Sequence, residues 1–464
     1  MEYFISGYKL KRLKVLFFCL IAFPLTGNAT SLIDVFEDAL VNDPLLKEAL
    51  ANKEAISESR PQARSLLLPQ INASGSYSDS DINGRSTFQQ KTSIGTVTNT
   101  TGFLQESETT QWDVSIRQTI FDFGAWMNLK KANKTVAQAE IDYLAAEQQL
   151  MVRVATAYFN VLAAQDTLES EQAARQAIEK QLDQSRKRFD VGLIAITDVQ
   201  EAQAAYDQSV ANEITAKRNL ATSKESLRAI TDNYPSNLLK PDDGLPLIMP
   251  NPQSETDWVN TSLEQNLSFL SAQLGTEIAR SEVKVQRSGH FPTIGVQAQK
   301  RDTDSDSFRS DSGGDFNPAD TENINEGIGV QVNIPIFSGG QTSSRVRQAV
   351  ARHRASKEKL ERVGRETTRN ARDSYLGVIS GIATVKALQQ SVKSSAIALQ
   401  ATEAGYEVGT RTTVDVLDAR RRLYSSQRNL AISKYDYLKN IIQLKQAAGT
   451  LSKDDLTQIN DWLK

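Results

Sequence analysis

Two long stretches of this chain lack proline and consist mainly of helix-forming residues. In the first, residues 125–231, Ala, Gln, Glu, Lys, Leu and Arg predominate, and Gly192 is the only glycine. Apolar residues recur there at helical spacing. A single helix over residues 125–191 would extend roughly 100 Å at 1.5 Å per residue. Because no globular domain of this size needs so long a helix, the sequence predicts an extended helical rod that turns back at Gly192.

The second stretch, residues 341–448, repeats this pattern. The segment Tyr406-Glu407-Val408-Gly409 follows Phe189-Asp190-Val191-Gly192 after 217 residues, and an Asp-Val pair comes after both. Each Val-Gly is therefore predicted to form the bend of a helical hairpin. The second rod contains further glycines, which either loosen it or mark points of close packing: Gly364, Gly377, Gly381 and Gly405.

Segments ahead of each rod match as well, so the chain is predicted to contain two structural repeats rather than unrelated domains. Each repeat has the order helix, strand, strand, long helical hairpin. The fold class is α+β and mainly α. The predicted boundaries are residues 1–29 for a signal peptide, 30–232 for the first repeat with its tip near 192, 233–255 for a proline-rich linker outside the bundle, 256–449 for the second repeat with its tip near 409, and 450–464 for a short C-terminal segment.

Four segments alternate between apolar and polar residues, two in each repeat. They are Ile71–Tyr77, Trp112–Arg117, Thr293–Ala298 and Ile328–Ile334. One face of each would be apolar and the other small or hydrogen-bonding, which is typical of transmembrane β-strands. A soluble sheet lying on a helical core has the same alternation. Residues 79–109 and 302–326 are polar and are predicted to be long loops, which favours an extracellular surface and hence the membrane alternative.

Four strands cannot close a barrel, and lipid does not tolerate an open sheet edge. Two chains would supply eight strands and three would supply twelve. Since an eight-stranded barrel is filled by its own side chains, a pore favours three chains.

The N-terminal residues indicate secretion. Basic residues at Lys9, Lys11, Arg12 and Lys14 precede an apolar run that ends near Leu25, and small residues follow up to Ala29. The run is shorter than the roughly 20 residues of a membrane-spanning helix, so cleavage after Ala29 is favoured over a membrane anchor. The mean hydropathy of −0.40 excludes an α-helical membrane protein.

The mature chain would have no cysteine, because the only one, Cys19, lies in the signal peptide. Disulfides, thiolate metal sites and a lipid anchor are therefore not expected. The first 29 residues carry four basic and one acidic side chain, so without them the net charge changes from −3 to −6. This acidic balance does not support a nucleic-acid partner.

No catalytic constellation is visible in the sequence. The only histidines, His290 and His353, lack neighbours of the kind that bind metals, and no phosphate-binding loop or dinucleotide fingerprint is present. We expect neither an enzyme nor a cofactor. Near the second bend, Asp415 and Asp418 would share one helix face. They either stabilise a helix N-terminus or, in a ring of three chains, form two rings of carboxylates that attract cations.

The residues at the bends and before the first strand resemble those of a known family. Val191-Gly192 with Ile196-Thr197-Asp198-Val199, Gly405-Tyr406 through Ala419, and Leu68-Pro69-Gln70 are similar to the TolC family of outer-membrane efflux ducts. The resemblance extends from about Leu32 to Leu456. It implies a homotrimer with a 12-stranded β-barrel in the outer-membrane lipid of a Gram-negative bacterium and an α-barrel in the periplasm.

The resemblance also implies partners and a gate. A periplasmic adaptor would dock at the hairpin tips, and a proton-driven or ATP-driven inner-membrane pump would deliver drugs, detergents or proteins for type I secretion. The implied gate network contains Gln181, Thr197, Asp198, Tyr406 and Arg411, and the constriction rings contain Asp415 and Asp418. The implied docking tips are Val191, Gly192, Leu193, Val408, Gly409 and Thr410.

One departure from the family and two functional alternatives accompany these expectations. Arg420-Arg421-Arg422 stands where the family has small hydroxylated residues, and these arginines would partly neutralise the inner carboxylate ring. A periplasmic coiled-coil adaptor or scaffold would need the hairpins but not lipid-facing strands. A porin or a phage and colicin receptor acting through residues 79–109 and 302–326 would be compatible with export.

Overall fold

The computed structural model describes residues 30–234, 237–242, 244–311 and 316–463. The predicted signal peptide, residues 1–29, lies outside the described residues. The chain is mainly helical, with one antiparallel sheet. Its elements are α1 (Leu32–Asn42), α2 (Pro44–Ser57), α3 (Ser59–Ser65), β1 (Gln70–Thr92), β2 (Gly95–Phe121), α4 (Phe123–Asp190), α5 (Ile196–Thr231), α6 (Glu255–Gln265), α7 (Leu267–Ser288), β3 (Thr293–Asp311), β4 (Phe316–Asn333), α8 (Gln341–Glu407), α9 (Thr413–Ala448) and α10 (Lys453–Asn460).

The two helical hairpins follow the predicted pattern. Helix α4 has 68 residues and pairs with α5, while α8 has 67 residues and pairs with α9. Gly192 and Gly409 end the long helices with φ angles of 79° and 80°. Glycine adopts this left-handed conformation without the steric penalty of a Cβ atom, which explains why a glycine lies at each bend.

The extra glycines of α8 do not interrupt it. A Cβ atom at Gly377 or Gly381 would lie in ordinary contact with Asn440 of α9, at 3.5 Å and 3.7 Å from side-chain atoms. The amide of Asn440 also donates a hydrogen bond to the carbonyl of Gly377. These two glycines therefore lie at the contact between α8 and α9, where a Cβ atom would also fit.

Each returning helix ends against the junction between two shorter helices, in the same way in both repeats. The side-chain amide of Asn42 donates to the carbonyl of Thr231 at 3.0 Å, and that of Asn266 donates to the carbonyl of Ala447 at 3.0 Å. These bonds satisfy carbonyls at the C-terminal ends of α5 and α9, which have no partner within their own helices. The arrangement joins α5 to the end of α1, and α9 to the junction of α6 and α7.

The main hydrophobic core lies around these helix junctions and includes the linker between the repeats. Tyr158 of α4 donates to the carbonyl of Leu239 at 2.8 Å. The hydroxyl of Tyr437 in α9 accepts the backbone N–H of Ile248 at 2.7 Å. Lys240 forms an ion pair with Asp166 at 2.7 Å. The linker is thus attached to both hairpins.

The four strands form a meander in the order β1-β2-β3-β4, with every neighbouring pair antiparallel. The prediction of long loops at 79–109 and 302–326 was wrong. Strands β1 and β2 extend through the first of these segments to a short turn at Ser93 and Ile94, and the described parts of the second belong to β3 and β4. Threonine favours strands because it is β-branched, and polar side chains on both faces are compatible with a strand surrounded by water.

The register brings the apolar faces of all four strands together. Ile71, Ile116, Ala298 and Ile328 lie side by side across the sheet. The adjacent row on the other face consists of Asn72, Ser115, Gln299 and Gly327. The apolar side chains remain exposed in the chain, with Ile328 81% accessible. This excludes a soluble sheet that covers a helical core.

Within the described residues, none of the helices combines the length and the apolar character required to cross a bilayer.

Candidate gate at the hairpin tips

The first bend consists of exposed small and apolar residues, and a carboxylate follows in the first turn of α5. Val191 and Leu193 are 69% and 72% exposed. Asp198 lies three residues inside the new helix, and its carboxylate accepts the backbone N–H of Ala195 at 3.2 Å. Thr197 is exposed beside it. In the single chain Asp198 therefore caps its own helix.

The second bend is built in the same way but with a stronger cap. One carboxylate oxygen of Asp415 accepts the backbone N–H of Thr412 at 2.9 Å and its hydroxyl at 3.0 Å. The Thr412 hydroxyl oxygen accepts the backbone N–H of Asp415 in return, at 3.2 Å. These bonds, chiefly the backbone one, hold the pKa of Asp415 below its usual value. Val408 beside the bend is 75% exposed, and Gly409 and Thr410 are also exposed.

Tyr406 lies between the two hairpins and is buried. Its ring is 4.5 Å from the guanidinium carbon of Arg188 on α4, a cation–π distance. Its hydroxyl accepts a hydrogen bond from Thr413 at 3.3 Å. Among the described residues, Tyr406 and Asp198 are not joined by a hydrogen bond, and Arg411 forms no ion pair. The single chain thus brings together part of the implied network only.

Gln181 is almost fully buried, at 1% exposure, and so is Ser185 one turn later, at 0%. The side-chain nitrogen of Gln181 and the hydroxyl of Ser185 have no hydrogen-bond partner within the described part of the chain. Leu182, beside them, packs with Leu417 of α9 in a small apolar cluster near the tips. The tip region therefore combines an apolar contact between the hairpins with polar groups on α4.

Sequence reasoning missed the role of Arg420. This residue turns away from the carboxylates at the start of α9 and donates to Glu403 of α8 at 2.8 Å and to the carbonyl of Ala177 on α4 at 2.6 Å. Arg421 approaches Asp418 at 3.4 Å, and Arg422 is exposed without an ion pair in the described chain.

A signal for the Arg420–Glu403 pair was present in the repeat. Arg186 donates to Gln203 at 2.6 Å in the first hairpin, and these two residues lie 217 positions before Glu403 and Arg420. Both pairs join positions at similar distances on either side of a bend. In a hairpin of antiparallel helices such positions face each other.

Comparisons with known proteins agree with this architecture. A family model described as "Outer membrane efflux protein" matches residues 35–233 and 258–450. The chain is 35% identical over 438 residues to outer membrane protein TolC of Vibrio cholerae, covering 94% of each chain. It is 28% identical over 439 residues to alkaline protease secretion protein AprF of Pseudomonas aeruginosa, covering 92% of this chain and 86% of the relative.

Solved structures share the fold. The outer membrane protein VceC of Vibrio cholerae superimposes with a TM-score of 0.70 at 20% identity, covering 90% of this chain and 96% of its own. The CmeC outer membrane channel of Campylobacter jejuni gives a TM-score of 0.70 at 19% identity, covering 93% and 89%. TolC, VceC and CmeC are outer membrane proteins and AprF is a secretion protein, which does not favour a periplasmic adaptor. The resemblance to the TolC family is confirmed: this chain belongs to the outer membrane efflux protein family and is located in the Gram-negative outer membrane.

Proposed function

We propose that three copies of this chain form an export duct with a closed 12-stranded barrel and a helical tunnel. The observation that carries the proposal is the open meander with one apolar face. Strands β1 and β4 each pair with only one other strand among the described residues, so both edges of the sheet are open. In lipid each unsatisfied backbone group costs several kcal/mol, so the edges require partners from neighbouring copies.

The hairpin tips are proposed to close the periplasmic end of the duct. Asp198 and Thr197 at one tip would face Arg411 of the neighbouring copy, which has no ion pair within the described chain. A charge-assisted hydrogen bond of this type contributes about 1.5–3 kcal/mol where it is shielded and much less where it is exposed. Three weak contacts of this kind can hold a tunnel shut and still be opened by a partner.

Threefold symmetry would convert single side chains of α9 into rings. Asp415 and Asp418 lie one helical turn apart near the tip, so three copies give two stacked rings of carboxylates. Rings of this kind attract cations and repel anions. Only one of the three arginines that follow contacts these carboxylates: Arg421 reaches Asp418, whereas Arg420 is bound to Glu403. We therefore propose that the Asp415 ring keeps its cation preference and that Arg421 partly neutralises the Asp418 ring.

The exposed apolar tips supply a docking surface for a periplasmic adaptor that connects the duct to an inner-membrane pump, either proton-driven or ATP-driven. Val191, Leu193 and Val408 are more exposed than apolar residues usually are. The relatives include efflux and protease secretion proteins, so both small molecules and secreted proteins are candidate cargoes. The substrate would pass through without chemical change.

Isolation from outer-membrane fractions followed by insertion into planar bilayers tests this function. We expect a heat-modifiable trimer on denaturing gels and small, uniform single-channel conductance, because the tips are closed at rest. A chain found only in the soluble periplasmic fraction, or a monomer that conducts no ions, would contradict the duct and support the adaptor alternative.

Crosslinking in cells identifies the docking partner. The mature chain would have no cysteine, so a single cysteine introduced at Gly192 or Gly409 gives a unique crosslinking site. We expect capture of a periplasmic adaptor from cells at either tip. A cysteine at Gly327, which lies within the sheet, is the matched control and should capture none.

A further inference from the structure

A groove of about 840 Å³ lies where the long helices meet the sheet, between the starts of α4 and α8 and the end of α7. Its apolar part contains Phe123, Met127 and Phe291. The rings of Phe123 and Phe291 meet edge to face at a centroid distance of 5.1 Å. Phe291 is 46% exposed, so the groove opens to the surroundings.

The groove continues the apolar face of the sheet. Phe121, two residues before Phe123, is paired with Ile294, and Ile294 is in turn paired with Val332. Phe291 is only three residues from Ile294 in the sequence. The groove therefore lies at the end of the lipid-facing surface that is nearest to the helices, at the level of the inner leaflet.

Four cations surround this apolar floor. Lys130 belongs to α4, Lys284 and Arg287 lie on one side of α7, and Arg347 belongs to α8. No carboxylate lines the groove, and none of the four forms an ion pair with any described residue. The acidic residues of α7 do not neutralise them, because Glu277 and Glu282 are bound to Lys134 and Lys131 at 2.7 Å and 2.9 Å.

We propose that this groove binds an anionic phospholipid of the inner leaflet. The phosphate is held by the guanidinium groups of Arg287 and Arg347 and by the two lysines, and one acyl chain lies on Phe291 and Phe123. Arginine binds phosphate with two parallel hydrogen bonds, and basic pockets at a membrane surface select anionic headgroups. The bound lipid would fix the junction between the barrel and the tunnel. The proposal rests on the trimeric, lipid-facing barrel proposed above and not on the gate.

The test is native mass spectrometry of the purified trimer with added phosphatidylglycerol. Arg287→Gln with Arg347→Gln removes two groove charges, and Arg345→Gln with Arg352→Gln is the matched control. Arg345 and Arg352 line a separate pocket beside Glu282. Each basic residue near an anionic headgroup changes binding about fivefold. We expect the groove pair to bind phosphatidylglycerol about 25-fold more weakly, and the control pair to change binding less than about twofold.

Three outcomes would overturn the proposal. Equal losses of phosphatidylglycerol binding in the two double variants would mean that general surface charge attracts the lipid. If phosphatidylcholine with the same acyl chains binds as strongly as phosphatidylglycerol, the basic residues do not select the lipid. Full displacement by inorganic phosphate would identify a free-anion site. A heat-modifiable trimer with unchanged conductance would show that each variant is folded. A loss of lipid binding in such a variant is then distinguishable from a failure of the proposed duct.

Discussion

At the residue scale, the guanidinium of Arg420 connects three helices near the tips. It is only 17% exposed, whereas its partner Glu403 is 39% exposed, so these bonds are partly shielded from water. A bond to a charged group contributes about 1.5–3 kcal/mol where it is shielded and less where it is exposed. Since one bond lies within the second hairpin and the other reaches the first, any separation of the hairpins at this level must break the bond to Ala177.

We therefore expect Arg420→Ala to increase the open probability of the channel several-fold in planar bilayers. Arg420→Lys keeps the charge but has one donor group instead of a fork, so its effect should be intermediate. Arg422→Ala is the control, because Arg422 is exposed and has no ion pair in the described chain. Equal effects of Arg420→Ala and Arg422→Ala would show that net charge, and not the contact between helices, is responsible.

A second prediction at this scale concerns Asp43, which is 1% exposed and starts α2. Burial disfavours its charge, but two hydrogen bonds from Arg153, at 3.0 Å and 2.6 Å, and one from the N–H of Leu46 outweigh burial and lower its pKa below 3.8. The carboxylate therefore stabilises the fold at neutral pH, and the stabilisation is lost as the pH falls through the lowered pKa.

Asp43→Asn should cost about 3 kcal/mol at pH 7, because it leaves Arg153 without its buried partner. Thermal melting followed by circular dichroism should show a lower melting temperature, and the difference from the original protein should shrink below about pH 4. Glu48→Gln, on the exposed side of α2, should change little at either pH. A difference for Asp43→Asn that stays constant down to pH 3 would argue against the ionised pair.

At the scale of the element, an aromatic side chain on one strand packs against a glycine on the neighbouring strand. Gly75 on β1 is paired with Trp112 on β2, and a Cβ atom on Gly75 would lie 2.7 Å from the indole ring. Gly75→Val is expected to displace the ring and reduce the yield of heat-modifiable trimer in outer-membrane fractions by at least about half. Gly329→Val is the control, because nothing lies within 4 Å of a Cβ atom there. Similar trimer yields for both variants would contradict the role given to Trp112.

At the scale of the whole molecule, three copies would place the α9 carboxylates around one opening. Asp415→Ala with Asp418→Ala should weaken block by a multivalent cation about tenfold or more, because two rings of negative charge are removed. Block is measured as the cation concentration that halves the conductance. Asp454→Ala, in the first turn of α10, is the control. If block is equally strong in the double variant, the cation binds elsewhere in the duct.

Closure of the tunnel also belongs to the assembled molecule. Tyr406→Phe removes the hydroxyl that accepts from Thr413, and Arg411→Glu reverses the charge expected to face Asp198 of a neighbouring copy. Like charges then replace opposite ones, so the double variant should have a single-channel conductance several-fold higher. Unchanged conductance in a correctly assembled trimer would contradict the proposed contact between Arg411 and Asp198.

The sequence by itself determined the features that depend on local patterns. Absence of proline predicts the rods, glycine predicts the bends at Gly192 and Gly409, and alternation predicts which face of each strand is apolar. These properties depend on residues within a few positions of one another, so spacing along the chain is sufficient to identify them.

Only the tertiary structure decided how distant segments meet. The pairing of β2 with β3 joins the two repeats into one sheet. Pairing within each hairpin extends the strands through polar segments that resemble loops. The same is true of Arg420. Its neighbours in the sequence, Asp415 and Asp418, suggested that it neutralises a carboxylate ring, whereas its bond to Ala177 on another helix joins the two hairpins. Such contacts follow from the approach of elements in space, and no local periodicity encodes that approach.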